Sequence, residues 1–209
     1  MSLYDLAFCI NLDTRPDRWE LAQAEFEHQG LEVERIPGVI VHGFDPKRNA
    51  CHGCHLSHAI ALMRAIEAQA DSVLIFEDDV LFLHDVKPML AKVEREIDSD
   101  WEMLYLGANI EHPMYQTSPH VARITGARST HAYIARNMLF EKLLAVNEDP
   151  STVHNDIYYE TVIIPQHKCF ITIPMLAVQR EGYSDIRKQN ERYQDWMLER
   201  YERQMRWLS

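Results

Sequence analysis

Three consecutive carboxylates follow directly on an apolar run from Val73 to Phe76. Because like charges a few ångströms apart raise one another's pKa, Glu77, Asp78 and Asp79 would destabilise this position unless a positive charge lay among them. A divalent cation supplies that charge, and hard oxygen ligands suit Mg²⁺ or Mn²⁺. The alternative is a solvated turn in which Asp79 caps the helix that follows. These residues alone leave both interpretations open.

A second polar group ends the first apolar run of the chain, which begins at Leu6. It consists of Asn11, Leu12 and Asp13. In an open α/β sheet, ligands bind at the carboxyl ends of the strands. We therefore expect this group and the acidic cluster to lie at the same edge of one sheet.

Two arginines follow the second polar group closely. Arg15 and Arg18 could reach a phosphate at this edge, because a guanidinium pairs well with oxyanions. Alternatively, both are solvent-exposed helix residues paired with Asp17 or Glu20. The sequence favours neither interpretation.

The elements that would position these residues alternate between strands and helices. Apolar runs and helical spacing predict strands over residues 6–12, 31–36, 72–76 and 101–106, and helices over 16–29, 54–70 and 86–97. Residues 42–51 read as a polar loop. This order predicts an α/β fold with a mainly parallel sheet and helices on both faces.

The second half of the chain is less regular. The pattern predicts strands within residues 120–135, a helix over 137–146, an extended segment over 169–178 and a C-terminal helix over 187–208. No stretch rich in Pro, Gly or Ser marks a boundary, so residues 1–209 are expected to form a single domain.

Composition and charge narrow the classes of function. The 209 residues are 46% hydrophobic and 25% charged, which is typical of a globular protein with a core. The net charge of −11 argues against a general nucleic-acid binder, although a phosphorylated ligand could bind through local cations or a metal ion. No apolar window is long enough to span a membrane, and no secretion signal is evident. We expect a cytoplasmic protein with reduced thiols.

Several short segments, taken together in this order, resemble glycosyltransferase family 25. This family includes bacterial lipooligosaccharide galactosyltransferases and animal procollagen galactosyltransferases. The matching residues are Ile10-Asn11-Leu12-Asp13 with Arg15, Pro16, Asp17 and Arg18; Gly53-Cys54-His55-Leu56-Ser57-His58; Val73 to Val80; Tyr105-Leu106-Gly107; Thr130-His131-Ala132-Tyr133-Ile134; and Gln179 with Ser184-Asp185-Ile186.

The resemblance implies a GT-A fold, which is a Rossmann-like nucleotide-binding sheet with a smaller acceptor-side portion. It also implies a nucleotide-sugar donor, commonly UDP-galactose, a Mn²⁺-type cofactor (or Mg²⁺), a glycan acceptor and inversion at the anomeric carbon. The acidic motif of this fold is usually Asp-x-Asp, so Asp79 is the expected metal ligand. Glu77, which stands at the first position of that motif, is its expected companion.

The resemblance also implies roles for residues around the metal. Asn11, Leu12 and Asp13 are expected at the uracil and ribose, and Asp78 at the ribose or around the metal. Arg15 and Arg18 are expected at the diphosphate. His58 is expected to face the donor, with a structural role as its alternative; the same pair of interpretations applies to His131.

An inverting transfer needs a general base that takes the proton of the acceptor hydroxyl. We nominate Asp156, because related sequences carry an acidic residue there, with Asp185 as runner-up. For either residue the alternative is a capping or turn carboxylate. Two other functions stay open: a divalent-metal phosphohydrolase or nucleotidyltransferase, and a relative that binds sugar nucleotides without turnover.

The segment Cys51-His52-Gly53-Cys54-His55 matches the Cys-x-x-Cys-His haem-attachment pattern. Haem of that kind is attached after export, and no export signal is evident. The histidine-rich stretch that contains His42, His52, His55 and His58 could instead bind zinc. Because the family resemblance already accounts for part of this segment, we predict that Cys51 and Cys54 are free thiols without metal or haem.

The tail is more basic than the rest of the chain. Residues 187–206 carry a surplus of two positive charges, together with Trp196 and Tyr201. An amphipathic helix over 187–209 could contact the inner face of the cytoplasmic membrane, where lipid-linked acceptors of lipopolysaccharide are made. The alternative is a docked helix or a dimer contact.

Overall fold

An eight-stranded sheet is the centre of the computed structural model, which describes residues 2–145, 154–184 and 189–208. The strand order is β2-β1-β3-β10-β5-β11-β8-β7. The strands of this sheet are β1 (Leu6–Asn11), β2 (Glu34–Pro37), β3 (Ser72–Glu77), β5 (Met103–Tyr105), β7 (Met114–Ser118), β8 (Val121–Ile124), β10 (Ala132–Arg136) and β11 (Cys169–Thr172).

The direction of the strands is mostly as predicted. β2, β1, β3, β5, β11 and β7 run the same way, whereas β8 and β10 run against them. Two reversed strands inside the sheet make most of its neighbouring pairs antiparallel, so the sheet is mixed in its pairing although most strands share one direction.

Helices cover both faces of the sheet, as expected. The first half of the chain contributes α1 (Pro16–Gln29), α2 (Pro46–Glu67) and α3 (Val86–Glu96). Side chains of β3 alternate between two cores: Val73 and Ile75 pack in the core under α2, and Leu74 and Phe76 in the core under α1 and α3. This alternation explains why β3 reads as a continuous apolar run, because a strand buried on both faces has no polar side.

Local signals set the ends of α1. Pro16 starts this helix, where its missing N–H costs nothing, and Gly30 ends it in the left-handed conformation with φ of 62°.

α2 begins at Pro46, eight residues before the predicted start, so the interpretation of residues 46–51 as a loop was wrong. Asp45 caps this helix, because its Oδ1 accepts a hydrogen bond from the backbone N–H of Arg48 at 3.1 Å. Gly53 lies inside the helix, where a Cβ would stand 2.3 Å from the carbonyl oxygen of Val39. The missing side chain therefore lets α2 approach the loop after β2.

The acidic cluster lies in a turn between two strands. Glu77 ends β3, Asp78 and Asp79 form the turn, and β4 (Val80–Phe82) follows and pairs with β12 (Ala177–Gln179). Asp79 therefore does not cap a helix, and that alternative is wrong. The turn brings the carboxylates beside Gln179, which is distant in sequence.

The remaining elements complete the second half. They are β6 (Asn109–Ile110), β9 (Ala127–Arg128), α4 (Asn137–Leu144), α5 (Asn155–Tyr158), a π-helical segment (Tyr159–Ile163), α6 (Ile164–Gln166), β13 (Gly182–Ser184), β14 (Gln189–Glu191) and α7 (Tyr193–Leu208). The predicted start of the C-terminal helix at residue 187 is wrong, because 189–191 form a strand paired with β13.

α7 packs against the body of the protein. Met197 and Tyr201, on its apolar stripe, are buried in the core. Arg200, on the same helix, forms an ion pair with Glu111. Within the described ranges, no helix is both long enough and apolar enough to cross a bilayer.

Candidate active site

Asp78 connects the acidic turn to the end of β1. Its Oδ2 accepts a hydrogen bond from Asn11 Nδ2 at 2.7 Å, and its Oδ1 pairs with Arg18 Nη1 at 2.8 Å. Burial raises the pKa of the Asp78 carboxyl, and the charge of Arg18 opposes that rise. Both oxygens of Asp78 therefore accept hydrogen bonds from side chains of the protein.

Asn11 is itself held from two sides. Its side-chain amide also donates to the backbone carbonyl of Arg15 at 2.9 Å. Arg35, on the adjacent strand β2, donates from Nε to Asn11 Oδ1 at 2.8 Å and from Nη2 to Asp13 Oδ1 at 2.6 Å. Arg35 thus fixes the carboxyl end of β1, a role that the sequence interpretation missed.

Glu77 lies against a buried imidazole. His58 Nε2 is 3.3 Å from Glu77 Oε1, and the hydroxyl of Thr130 donates to the same oxygen at 2.7 Å. Burial on its own would raise the pKa of Glu77, but these two bonds and the charge of His58 outweigh it and lower the pKa. Glu77 is therefore ionised at neutral pH.

Asp79 is the carboxylate with an unsatisfied atom. Its Oδ2 accepts a long hydrogen bond from Gln179 Nε2 at 3.3 Å, while its buried Oδ1 has no hydrogen-bond partner. Burial, followed by the charge of Glu77, raises the pKa of Asp79 to about 7. A buried oxygen acceptor without a donor, beside a second carboxylate, is the environment that a hard divalent cation fits.

Two cavities meet at the acidic turn. The first, of about 410 Å³, is lined by the turn itself, by Leu12 and Arg18, and by residues 38–41 of the loop after β2. The second, of about 590 Å³, is lined by Asp156, Arg128 and α7. Four residues line both cavities: Cys54, Glu77, Gln179 and Tyr193.

Asp156 faces the second cavity from α5. Burial raises the pKa of its carboxyl, and Oδ1 accepts a hydrogen bond from the backbone N–H of Ile157 at 2.9 Å. The base nomination stays a prediction. Asp185 lies outside the described residues.

The other predicted site residues take different positions. Arg15 pairs with the exposed Asp17 at 2.8 Å, which is the alternative foreseen for it, and it does not line either cavity. Asp13 is also exposed, with 74% of its side-chain surface accessible. The His58 side chain does not line either cavity and contacts the site through Glu77. Burial lowers the pKa of His131 to about 4, so its ring is neutral in the core.

All four cysteines are unpaired. Cys51 Sγ is 3.3 Å from His154 Nδ1, and burial raises the pKa of this thiol to about 11. The two cysteines of the Cys-x-x-Cys-His segment therefore face the 154–156 segment rather than each other.

Comparison with solved structures shows the class of fold. The protein A197 from STIV superposes with a TM-score of 0.52 at 12% identity, covering 88% of this chain and 91% of A197. A glycosyltransferase involved in glycosylation of the major capsid of PBCV-1 superposes equally well at 10% identity, covering 79% of this chain and 80% of its own. With the acidic turn at the carboxyl edge of the sheet, the fold is the GT-A type expected from the sequence.

Comparison of sequences gives the family. The family model described as "Glycosyltransferase family 25 (LPS biosynthesis protein)" matches residues 49–152. Human procollagen galactosyltransferase 2 is 29% identical over 152 residues, which cover 59% of this chain and 24% of that protein. By the match to the family model, residues 49–152 belong to glycosyltransferase family 25.

Not all similar proteins are active enzymes. A human protein named "Inactive glycosyltransferase 25 family member 3" is 28% identical over 171 residues, which cover 68% of this chain and 29% of that protein. The chain thus spans less than a third of the length of these curated relatives.

Proposed function

We propose that this chain is an active, metal-dependent glycosyltransferase that moves galactose from UDP-galactose to a hydroxyl of a glycan acceptor with inversion. One observation carries the proposal: two cavities adjoin at Glu77 and Gln179, with the acidic turn on one side and Asp156 on the other. A transferase needs a donor site and an acceptor site that open onto one reacting atom. A phosphohydrolase needs only water beside the donor, so the second cavity favours transfer.

The first cavity suits the nucleotide. It lies at the carboxyl ends of β1 and β3, where open α/β sheets bind their ligands, and its volume is that of a small-molecule site. Leu12 and the loop at 38–41 supply apolar walls for a base. Arg18, with one guanidinium nitrogen on Asp78, lines the same cavity near the expected diphosphate.

Asp79 and Glu77 are the proposed ligands of a divalent cation, Mn²⁺ or Mg²⁺. Asp79 contributes the oxygen that lacks a donor, and Glu77 contributes a carboxylate kept ionised by His58 and Thr130. When bound, such a cation would neutralise charge that develops on the leaving diphosphate. Asp78, already paired with Arg18, serves to fix the turn.

Asp156 is the proposed general base. The acceptor hydroxyl would lie in the second cavity, and the Asp156 carboxylate would accept its proton as the oxygen attacks the anomeric carbon from the side opposite the diphosphate. The direction of its pKa shift supports this role, because a carboxylate with a raised pKa is a stronger base than an exposed one.

The proposed setting is the assembly of lipopolysaccharide or lipooligosaccharide in the cytoplasm. Its support is the printed description of the family model, "LPS biosynthesis protein". The acceptor would then be a glycan, carried on lipid at the inner face of the membrane. Because Met197 and Tyr201 of α7 are buried in the core, any contact of this helix with the membrane would use its outer face, where Trp196 is exposed.

The experiment is incubation with a panel of UDP-sugars, Mn²⁺ and glycan acceptors, with UDP release and sugar transfer measured separately. Wild-type protein is expected to transfer galactose, and Asp79→Asn to do so far more slowly. Loss of phosphate from nucleotides or phosphomonoesters without transfer would support a phosphohydrolase instead. Tight UDP binding with no transfer to any acceptor would support an inactive relative.

A further inference from the structure

A second set of metal-ligand side chains lies beneath the acidic turn. Cys54 and His58 are four residues apart on α2 and therefore share one face of that helix. Their ligand atoms and a carboxylate oxygen of Glu77 all lie within 4.8 Å of one another. The thiol and the imidazole distinguish this set from the all-oxygen ligands at Asp79.

Two hydrogen bonds orient this set. Tyr133 OH is 3.0 Å from His58 Nδ1, on the side of the ring opposite Glu77, and the ring is stacked against Tyr133. When a metal ion binds, Nε2 releases its proton to the solvent, and the proton that remains on Nδ1 leaves the Nε2 lone pair for the ion. Thr130 holds Glu77 Oε1 at 2.7 Å. Metal-binding histidines and carboxylates are commonly fixed by such outer partners.

The spacing suits a single tetrahedral ion. Two nitrogen or oxygen ligands bound at about 2.0–2.2 Å are about 3.3–3.6 Å apart at the tetrahedral angle, and the 3.3 Å between His58 Nε2 and Glu77 Oε1 lies at the lower end of that range. Cys54 Sγ makes a long contact of 3.8 Å with Asn155 Oδ1. Rotation of the thiol towards His58 would complete a three-ligand site.

We propose that Cys54, His58 and Glu77 form a binding site for a borderline divalent cation of the Zn²⁺ type, which overlaps the proposed Mn²⁺ or Mg²⁺ site at Asp79 through the shared Glu77. Thiolate and imidazole select zinc over the harder cations. Cys54 and Glu77 both line the two cavities, so the ion can reach the site from either cavity. The Cys54 thiol releases its proton to the solvent as the sulfur binds the metal.

This proposal differs from the prediction that Cys54 holds no metal. That prediction considered only metal ligands close in sequence to Cys54, namely Cys51 and the neighbouring histidines. In the structure Cys51 faces His154 instead, and Glu77 from β3 supplies the third ligand. This third ligand, Glu77, is the residue that the sequence analysis expected beside Asp79 at the Mn²⁺ or Mg²⁺ site.

Zinc at this site has a consequence for transfer, which rests on the proposed function. Glu77 lies where the donor and acceptor cavities meet. An ion held there takes Glu77 from the Asp79 site and narrows the passage between the cavities. Zinc therefore inhibits transfer, and added Mn²⁺ does not fully reverse the inhibition.

Cobalt(II) is the probe for the binding site itself. Metal-free protein is titrated with Co²⁺ while the thiolate-to-cobalt band in the near ultraviolet and the visible bands of tetrahedral Co²⁺ are recorded. Wild type is expected to show both sets of bands with one equivalent of Co²⁺, and Zn²⁺ should displace them. Cys54→Ser should lose the thiolate band, whereas Cys51→Ser, on the same helix, should keep it. Circular dichroism checks that both variants are folded.

Tyr133→Phe tests the positioning of His58, with an expected loss of about 10–100-fold in zinc affinity. The proposal is overturned if wild type shows no thiolate band and binds no zinc in equilibrium dialysis, or if Cys54→Ser keeps the band. UDP binding with Mn²⁺ is measured on separate, zinc-free portions of the same preparations. Zinc binding without UDP binding would refute the proposed function but not the zinc site. UDP binding without zinc binding would refute the zinc site but not the proposed function.

Discussion

Asp79→Asn tests the electrostatics of the acidic turn, because it removes one charge with almost no change of shape. Burial and the charge of Glu77 raise the pKa of Asp79 from an ordinary 3.8 to about 7. At about 1.4 kcal/mol per pKa unit, the ionised carboxylate costs the metal-free protein up to roughly 4 kcal/mol. Asparagine removes this penalty and can still accept the bond from Gln179.

The pH at which the effect occurs follows from the direction of the shift. Below the ordinary pKa of 3.8, Asp79 is protonated in both the folded and the unfolded chain, and there is no penalty. As the pH rises, the unfolded chain loses this proton first, so the wild type loses stability until the pH passes about 7. The gain in Asp79→Asn should therefore be small near pH 4 and largest at about pH 8.

The assay is urea unfolding followed by circular dichroism at about pH 4.5 and pH 8, with EDTA and with Mn²⁺. Without metal, the variant should be the more stable protein at the higher pH. With Mn²⁺, only wild type should gain stability, because a cation that binds the folded state alone stabilises it.

Asp17→Asn is the control for the unfolding assay. A hydrogen bond from Arg15 lowers the pKa of this exposed carboxyl to about 2, so its removal should cause a small loss rather than a gain. The reasoning fails if Asp79→Asn is less stable than wild type at the higher pH without metal, or if Mn²⁺ stabilises both proteins equally.

Three further predictions concern the two cavities and the tail. Asp156→Asn should abolish transfer while Mn²⁺-dependent UDP binding, measured by calorimetry, is retained; equal loss of both would contradict a base that touches only the acceptor. Arg18→Met should leave Asp78 without its cation, lower the free energy of unfolding by about 2 kcal/mol and weaken UDP binding; unchanged UDP affinity would remove Arg18 from the donor site. Deletion of 187–209 should abolish cooperative unfolding, because Met197 and Tyr201 are buried; a folded variant that no longer binds anionic vesicles would favour a membrane role for the tail.

Residues near in sequence determine the parts of the fold that could be predicted. The bounds of α1 follow from Pro16 and Gly30. The strand β3 follows from a continuous apolar run that lacks the spacing of an amphipathic helix. The carboxyl-edge location of Asn11 and of the acidic turn then follows from general rules for open α/β sheets. These features need no knowledge of which strands become neighbours.

Features that depend on distant contacts could not be predicted in the same way. The different roles of the three carboxylates in the acidic turn depend on Arg18, His58 and Gln179, because each of these residues contacts a different carboxylate. None of these pairings has a pattern in the sequence. The early start of α2, in contrast, could have been predicted, because Asp45 is a favoured helix cap and Pro46 a favoured first residue. The polar composition of residues 42–51 led instead to the prediction of a loop.

Calorimetric titration of UDP into wild-type protein, with and without Mn²⁺, tests whether donor binding depends on a metal ion, and it does not require the acceptor to be known. UDP is expected to bind only when Mn²⁺ or Mg²⁺ is present. This binding is expected to weaken as the pH falls below about 7, where Asp79 becomes protonated. UDP binding of equal strength without any metal ion would contradict the metal-dependent mechanism.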